Sequence, residues 1–481
     1  MDSKKDYFSS RWTFLLAALG MAIGAGNIWR FPRLAGQYGG SFLIPWLIFL
    51  FMWSIPLIMV EFSIGKKFRL GVIGAFRKGL GKKYTWMGWF VALCTIGIMF
   101  YYSVVCGWSL KYFFMSVQGS LSSLNHAQFW IEYTSNNWEP VLFSSIALIS
   151  GSFIIFFGVR SGIEKAVKIL IPSLFVLIII AAIRALTLPD AGEGLKYFFR
   201  VSQDDLLNYK VWLEALSQSA WSTGAGWGLI LTYSTYVKKQ ENIFINSAMT
   251  GIGNNIASIM VGLAVIPTVF ALSVSNKEAL AALQSGNQGL TFIFIPQLFE
   301  KMPGSIYFSS LFFLALFIAA ISSLISMLEL AVRVLMDYEI SRRNAVMITA
   351  GVGLFFGIPS AYSIKFFNNQ DWVWGIGLLL SGFFFIFFVL KTKISNFKSK
   401  FFEYFGNNIL LHNRTLKILS VIMVLEFVLM LSWWFIQSVK WYPASWWDPF
   451  DEFTLGTCLM QWGILILIGL LFNKKISNIK S

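Results

Sequence analysis

"GMAIGAGNIWRFP", residues 20–32, lies inside the first long apolar run of the chain and places glycine at 20, 24 and 26. Glycine within a helix costs about 1 kcal/mol relative to alanine, so a membrane-crossing helix with this cluster at its middle is built to open there. A second stretch repeats the feature. "SAWSTGAGWG", residues 219–228, carries at 224–226 the same Gly-Ala-Gly tripeptide that the first carries at 24–26. Small residues also let helices pack closely, as in GxxxG pairs, and composition alone leaves that alternative open. Two clusters in mid-span fit better two helices that unwind at the bilayer midplane. Unpaired backbone survives at that depth only where it lines a cavity; there its carbonyls can coordinate cations and its half-helix N-termini favour a carboxylate.

The surroundings are those of an all-α integral membrane protein. Of 481 residues, 57% are hydrophobic and 13% charged, and apolar runs long enough for a hydrocarbon core of about 30 Å recur from end to end. Twelve transmembrane helices are expected, near 12–37, 41–65, 86–115, 141–158, 166–187, 213–237, 243–272, 304–336, 344–360, 372–390, 415–438 and 453–473. Broken helices 1 and 6 would then open two inverted five-helix repeats, 12–187 and 213–390. Residues 415–473 add two C-terminal helices to a single domain, 1–481.

The formal charge of +15 is spread over alternate loops. Lys66, Lys67, Arg69, Arg77, Lys78, Lys238, Lys239, Arg342 and Arg343 fall on one side, and Glu132, Glu139, Asp190, Glu193, Asp204, Asp205, Asp448 and Asp451 on the other. The positive-inside rule therefore sets a multi-pass protein in the cell (inner) membrane with both termini cytoplasmic. The same distribution explains the charge without a nucleic-acid partner; the partner is the lipid bilayer. The first apolar run is too long for a signal peptide and lacks a small-residue cleavage motif, so it is expected to remain as a span. Cys94, Cys106 and Cys458 fall within spans, and no disulfide is expected. An enzyme would need a nucleophile with a base or a metal cluster, whereas His126 and His412 lie in loops on opposite faces.

"GNIWRFP" (26–32), "GGSFLIP" (39–45), "YYSVVCGW" (101–108), "GIEKAVKILIP" (162–172) and "QSAWSTGAGWGLILTYSTYV" (218–237) together resemble the neurotransmitter:sodium symporter family, most closely its short prokaryotic amino-acid transporters. The resemblance covers nearly the whole chain. It implies sodium-coupled symport of a neutral amino acid by alternating access, with a transport-dead amino-acid sensor or accessory subunit of the same fold as the alternative. It places one sodium ion among the Ala22 carbonyl, Asn27, Ser222 and Asn254, and a second among the carbonyls of Gly20, Ile23 and Ala319 and the hydroxyls of Ser322 and Ser323. Serine stands at 222 and 322 where relatives carry threonine, keeping the hydroxyl and losing a methyl that restricts rotation.

By the same resemblance Tyr102 and the amides of Gly24, Ala25 and Gly26 hold a substrate carboxylate close to Ala22, Ser222 and Ser323. Ile98, Trp221, Gly224, Trp227, Ser326 and Met327 would wall the side-chain pocket. Glycine at 24, where monoamine-carrying relatives have aspartate, points to a zwitterionic substrate. A wall without charge penalises a charged side chain, while small aliphatic and aromatic substrates both remain open. Arg30 and Asp371 would form the outer gate beneath a Trp221 lid, and Lys5 and Asp337 the inner one. Glu61 and Glu329 are expected in structural rather than ion-coupling roles, and Glu426 has no assigned role. Gln218, Ser222, Asn254 and Ser258 resemble the chloride-binding donors of animal members, although Trp46 replaces the expected tyrosine and can donate but not accept. Chloride, a carboxylate such as Glu214, or a proton cycle could each balance the charge.

Overall fold

Ser10 starts the first helix. Its hydroxyl accepts from the Thr13 N–H at 3.3 Å while the Thr13 hydroxyl accepts from the Ser10 N–H at 3.2 Å, a reciprocal cap that satisfies two otherwise orphaned donors. The resulting helix α1, Arg11–Ala22, stops at the glycine cluster, and α2, Gly26–Tyr38, leaves it bent by 54°. This structure, a computed structural model, describes residues 7–238, 240–402 and 413–479. Over them the remaining membrane helices are α3 (Gly40–Phe68), α4 (Lys82–Val117), α5 (Glu139–Phe156), α6 (Val159–Leu186), α7 (Tyr209–Ser222), α8 (Leu229–Ser234), α9 (Ile243–Leu272), α10 (Ser305–Met336), α11 (Arg342–Tyr362), α12 (Ile364–Thr392), α13 (Asn413–Trp441) and α14 (Leu455–Leu471).

Among the described residues nine of these helices are long and apolar enough to cross a bilayer alone. The α1/α2 pair, the α7/α8 pair and the shorter apolar α14 complete twelve membrane segments. An isolated bridge between Ser135 and Ser363 is the only extended pairing among the described residues.

The most extensive helix pair is α4 with α10, and both are largely buried. Against this pair lie the two broken spans, with α1 also contacting α6 and α9, and α8 contacting α3. Helices α6 and α13 sit at the periphery, with only 22% and 28% of their apolar windows buried. The last repeat of the pattern departs from the expected boundaries at one place that matters. Helix α12 begins at Ile364, not near 372, so Asp371 lies two turns inside it. The polar run Asn368-Asn369-Gln370 is helical because the loop before α14 holds it: Asn368 donates to Glu452 Oε1 at 2.7 Å and Asn369 to the Glu452 carbonyl at 3.0 Å.

Candidate functional site

The first break is a short one. The Ile23 N–H still reaches the Leu19 carbonyl at 2.7 Å, closing α1. The next two amides engage side chains: Gly24 N–H is shared between the Ala22 carbonyl and Asn27 Oδ1, both at 3.0 Å, and Ala25 N–H donates to the Tyr102 hydroxyl at 2.9 Å. A β-carbon on Gly24 would stand 2.7 Å from the Tyr102 hydroxyl and 2.8 Å from Ser323 Oγ. Aspartate has no room there without displacing both.

The second break, between Ser222 and Leu229, is longer. Gly224, Gly226 and Gly228 have φ of 67°, 87° and 80°, the left-handed region that other residues enter only at a cost. The fully buried Glu61 accepts from the Gly226 N–H at 2.6 Å and from the Leu231 N–H at 3.3 Å. Ser381 donates to the Gly226 carbonyl and Thr95 to the Trp227 carbonyl, the latter at 2.7 Å. Glu61 is thus engaged with backbone that no helix satisfies, which is what a polar group at this depth requires. Glu329 is likewise occupied, accepting from Tyr236 at 2.6 Å and from two nitrogens of Arg342 at 3.1 and 2.5 Å.

Between the breaks, oxygen atoms converge in two groups. In one, Ser322 donates to the Gly20 carbonyl at 2.8 Å and the Ala319 carbonyl at 2.9 Å, while Ser323 lies 3.3 Å from the Gly20 carbonyl and 3.1 Å from that of Met21. Gly20, Ala319, Ser322 and Ser323 are brought together, with the Met21 carbonyl beside Ser323; the Ile23 carbonyl is hydrogen-bonded to neither hydroxyl. In the other group, Asn27 Nδ2 donates to Asn254 Oδ1 and to Ser258 Oγ, both at 2.8 Å, and Asn254 Nδ2 to Ser222 Oγ at 3.1 Å. The Asn254 amide atom facing Asn27 also lies 3.2 Å from the Ala22 carbonyl and 2.9 Å from the Ser222 carbonyl. With nitrogen there it would donate to those carbonyls; with oxygen there, three oxygens face one another, an arrangement that a cation relieves. Both groups are neutral oxygen sets of the kind a hard cation takes. Among the described residues no cluster of three or more His, Cys, Asp or Glu side chains offers a transition-metal alternative.

A cavity of about 270 Å³ opens above them. Ala22, Gly24, Gly26, Asn27, Tyr102, Ser222 and Ser323 form its floor, and Trp221, Gly224, Trp227, Met327 and Ile376 its wall. Ile98 and Ser326 are buried and do not line it; Ser326 is bonded to Tyr233 at 2.8 Å. The two indoles meet edge to face at 5.2 Å, and the one at 221 is accommodated by Gly375, where a β-carbon would stand 2.8 Å from it.

Arg30 and Asp371 both line the mouth of the cavity. They form no ion pair within 4 Å: Arg30 donates to Ser217 at 2.7 Å and lies 5.8 Å over the Trp221 ring. At the opposite end Lys5 lies outside the described residues. Asp337 there accepts from the Gly71 N–H at 2.7 Å and pairs with Arg333 at 3.2 Å, one turn back on the same helix. Burial pushes its carboxyl up to about 6 against the pull of Arg333 and Gly71. That end is shut, with the Phe8 N–H bonded to the Tyr236 carbonyl at 3.1 Å and the Ser9 N–H to Glu164 at 2.9 Å. Gln218 reaches the Gly26 carbonyl only at 3.5 Å, and Trp46 packs on Phe31 and Phe42 without bonding to the Gln218 set. Sequence reasoning missed Ser217, Tyr233, Arg333, Gly375 and Arg342. Only the Arg333–Asp337 pair carried a readable signal, its spacing of four.

A family model described as the sodium:neurotransmitter symporter family matches residues 5–141 and 134–479. An uncharacterised sodium-dependent transporter of Methanocaldococcus jannaschii is 34% identical over 73% of this chain and 77% of its own. One of Bacillus subtilis is 31% identical over 82% and 89%. The crystal structure of MhsT in complex with L-phenylalanine superposes with a TM-score of 0.77 at 28% identity, covering 88% of this chain and 99% of that one.

Proposed function

Because the chain belongs to the sodium:neurotransmitter symporter family, we propose that it is a sodium-coupled symporter of a neutral amino acid. The observation that carries the reading is the floor of the cavity, where carbonyls of Ala22 and Ser222 and the Asn254 amide meet beside an unwound segment held by Tyr102. A zwitterion entering from the Arg30 end would set its carboxylate against the amides of Gly24–Gly26 and the Tyr102 hydroxyl. A sodium ion in the Asn27, Ser222, Asn254 group would share that carboxylate, so that each ligand strengthens the other by the same factor. A second ion would sit between the Gly20 and Ala319 carbonyls and Ser322 and Ser323, tying α1 to α10.

Gly24 supports a substrate that brings its own carboxylate, since the site has no room for a protein carboxylate at that position. The uncharged wall of Trp221, Trp227 and Met327 supports a neutral side chain. MhsT, which shares the fold, was crystallised with phenylalanine. With both termini cytoplasmic, the open mouth faces outward and the Phe8 end is the closed inner side. Arg30 and Asp371 would close above bound substrate, with 12–187 and 213–390 as the repeats that rock against each other.

Uptake of labelled amino acids into proteoliposomes under an inward sodium gradient, run over a panel of side chains, tests the reading. Accumulation of at least one neutral amino acid that collapses when the gradient is dissipated is expected. Binding of an amino acid without accumulation would instead favour the sensor or accessory role. Replacing chloride with gluconate in the same assay decides whether an anion at Gln218, Ser222, Asn254 and Ser258 is needed.

A further inference from the structure

Away from the central cavity, α6, α9, α10 and the short helix Ile295–Glu300 enclose a narrow apolar groove of about 50 Å³. Ile178, Val261, Val265 and Phe312 form its buried walls, and the small Ala181 and Ala264 keep its mouth open. It opens beside the surface of α6 that bears Ile179, Ile180 and Ile183, all exposed on the most lipid-facing of the spanning helices. Arg184 is its single charged lining residue, near the loop end of α6. No carboxylate lies within 4 Å of Arg184 among the described residues; its contacts are the Thr187 hydroxyl at 3.4 Å and the Phe308 ring at 5.4 Å. An arginine at the edge of the hydrocarbon core is retained when it finds an anion or snorkels to the headgroups.

We propose that this groove binds one acyl chain of a phospholipid whose phosphate pairs with Arg184. Apart from Arg184 and Thr268 the groove is lined by apolar side chains, and it opens on the lipid-facing side of α6, where hydrocarbon chains are the solvent. The guanidinium fork matches phosphate oxygens, and every phospholipid, zwitterionic or anionic, carries them. At its deep end the groove is lined by Ile28, the residue after Asn27. A seated chain therefore braces the half of the first span that follows the break, and couples lipid occupancy to the site floor.

The test uses full-length protein in liposomes doped with phosphatidylcholine bearing a photoreactive diazirine in its acyl chain, with crosslinked peptides mapped by mass spectrometry. Labelling within 261–269 and 311–315 should exceed that of the lipid-facing α13 residues Ile418, Leu425 and Leu429 by about fivefold, the scale of one phosphate–arginine contact. Arg184→Gln, a change at the rim of the fold, should remove most of that excess, and Ala264→Trp should fill the groove and do the same. A diacylglycerol with the same chains, lacking phosphate, should label the groove no more than α13. The proposal is overturned by equal labelling of groove and α13, by an excess that survives both substitutions, or by diacylglycerol labelling as strong as the phospholipid's.

Discussion

The two breaks share a tripeptide and little else. In the first, glycine is needed because of what approaches it: Gly24 has no room for a β-carbon beside Tyr102 and Ser323, yet neither Gly24 nor Gly26 has a positive φ. In the second, glycine is needed because of how the backbone runs, since all three glycines from 224 to 228 are left-handed. The donors that repair them differ accordingly. Neutral groups, Asn27 and Tyr102, suffice for the short gap, whereas the long one takes a buried carboxylate, Glu61, with Ser381 and Thr95. One sequence signal thus stands for two physical requirements, close approach of side chains in one span and a left-handed backbone in the other.

The sharpest separation comes from the third glycine of each tripeptide. At Gly226 a left-handed alanine costs about 1–2 kcal/mol, and its β-carbon would stand 2.8 Å from the Gly382 Cα. Gly382 has no side chain to move aside, so the clash must be met by main chain. Gly226→Ala should abolish sodium-driven uptake and lower the thermal denaturation midpoint in detergent by many degrees. A variant with wild-type midpoint and uptake would mean that the second break does not need its left-handed turn.

Glu61→Gln comes next. Both carboxylate oxygens accept backbone N–H groups, from Gly226 and Leu231, so the amide of glutamine must point its own donors at one of them. Leaving one buried N–H without an acceptor costs about 1–3 kcal/mol. The denaturation midpoint should fall, by less than for Gly226→Ala, with uptake reduced in parallel. Unchanged stability would show that water or another group satisfies the turn and that Glu61 serves elsewhere.

Much of this was legible because membrane helices write themselves plainly. The twelve segments, both breaks, and the gathering of Gly20, Ala319, Ser322 and Ser323 followed from apolar length, glycine clusters and family resemblance. What was not legible depended on contacts between distant side chains. The start of α12 was placed late because Asn368-Asn369-Gln370 reads as loop until Glu452 is brought to it. The resemblance puts Ile98 and Ser326 in the pocket wall, but both are buried outside the cavity lining, Ser326 bonded to Tyr233, and the space that admits the Trp221 indole comes from Gly375 on another helix. Glu426 is buried with neither oxygen bonded among the described residues, and its place on α13 has no explanation in the surrounding side chains.

The first break is probed through its neutral donors. Tyr102→Phe removes the acceptor of the Ala25 N–H without changing the ring. Loss of one such bond is worth about 1 kcal/mol, and the same hydroxyl is the proposed partner of the substrate carboxylate. Substrate affinity should fall by about tenfold while the denaturation midpoint drops only modestly, whereas Glu61→Gln acts first on the midpoint. A stability loss without an affinity loss would make Tyr102 a strut for the break and not a substrate ligand.

Gly26→Ala should do least. Gly26 corresponds in the tripeptide to Gly226, but no atom lies within 4 Å of where its β-carbon would stand, and its φ is not positive. It begins α2, where alanine is the better helix former by up to about 1 kcal/mol, so the denaturation midpoint should hold or rise slightly. Its new methyl would enter the cavity that Gly26 lines, which makes substrate size the sensitive readout. Small amino acids should keep affinities within about threefold of wild type, a difference under ~0.7 kcal/mol, while bulky ones lose more. If Gly26→Ala proves as damaging as Gly226→Ala, both breaks need glycine for the same backbone reason. The distinction between a glycine kept for access and one kept for its turn would then fail at the position best placed to show it.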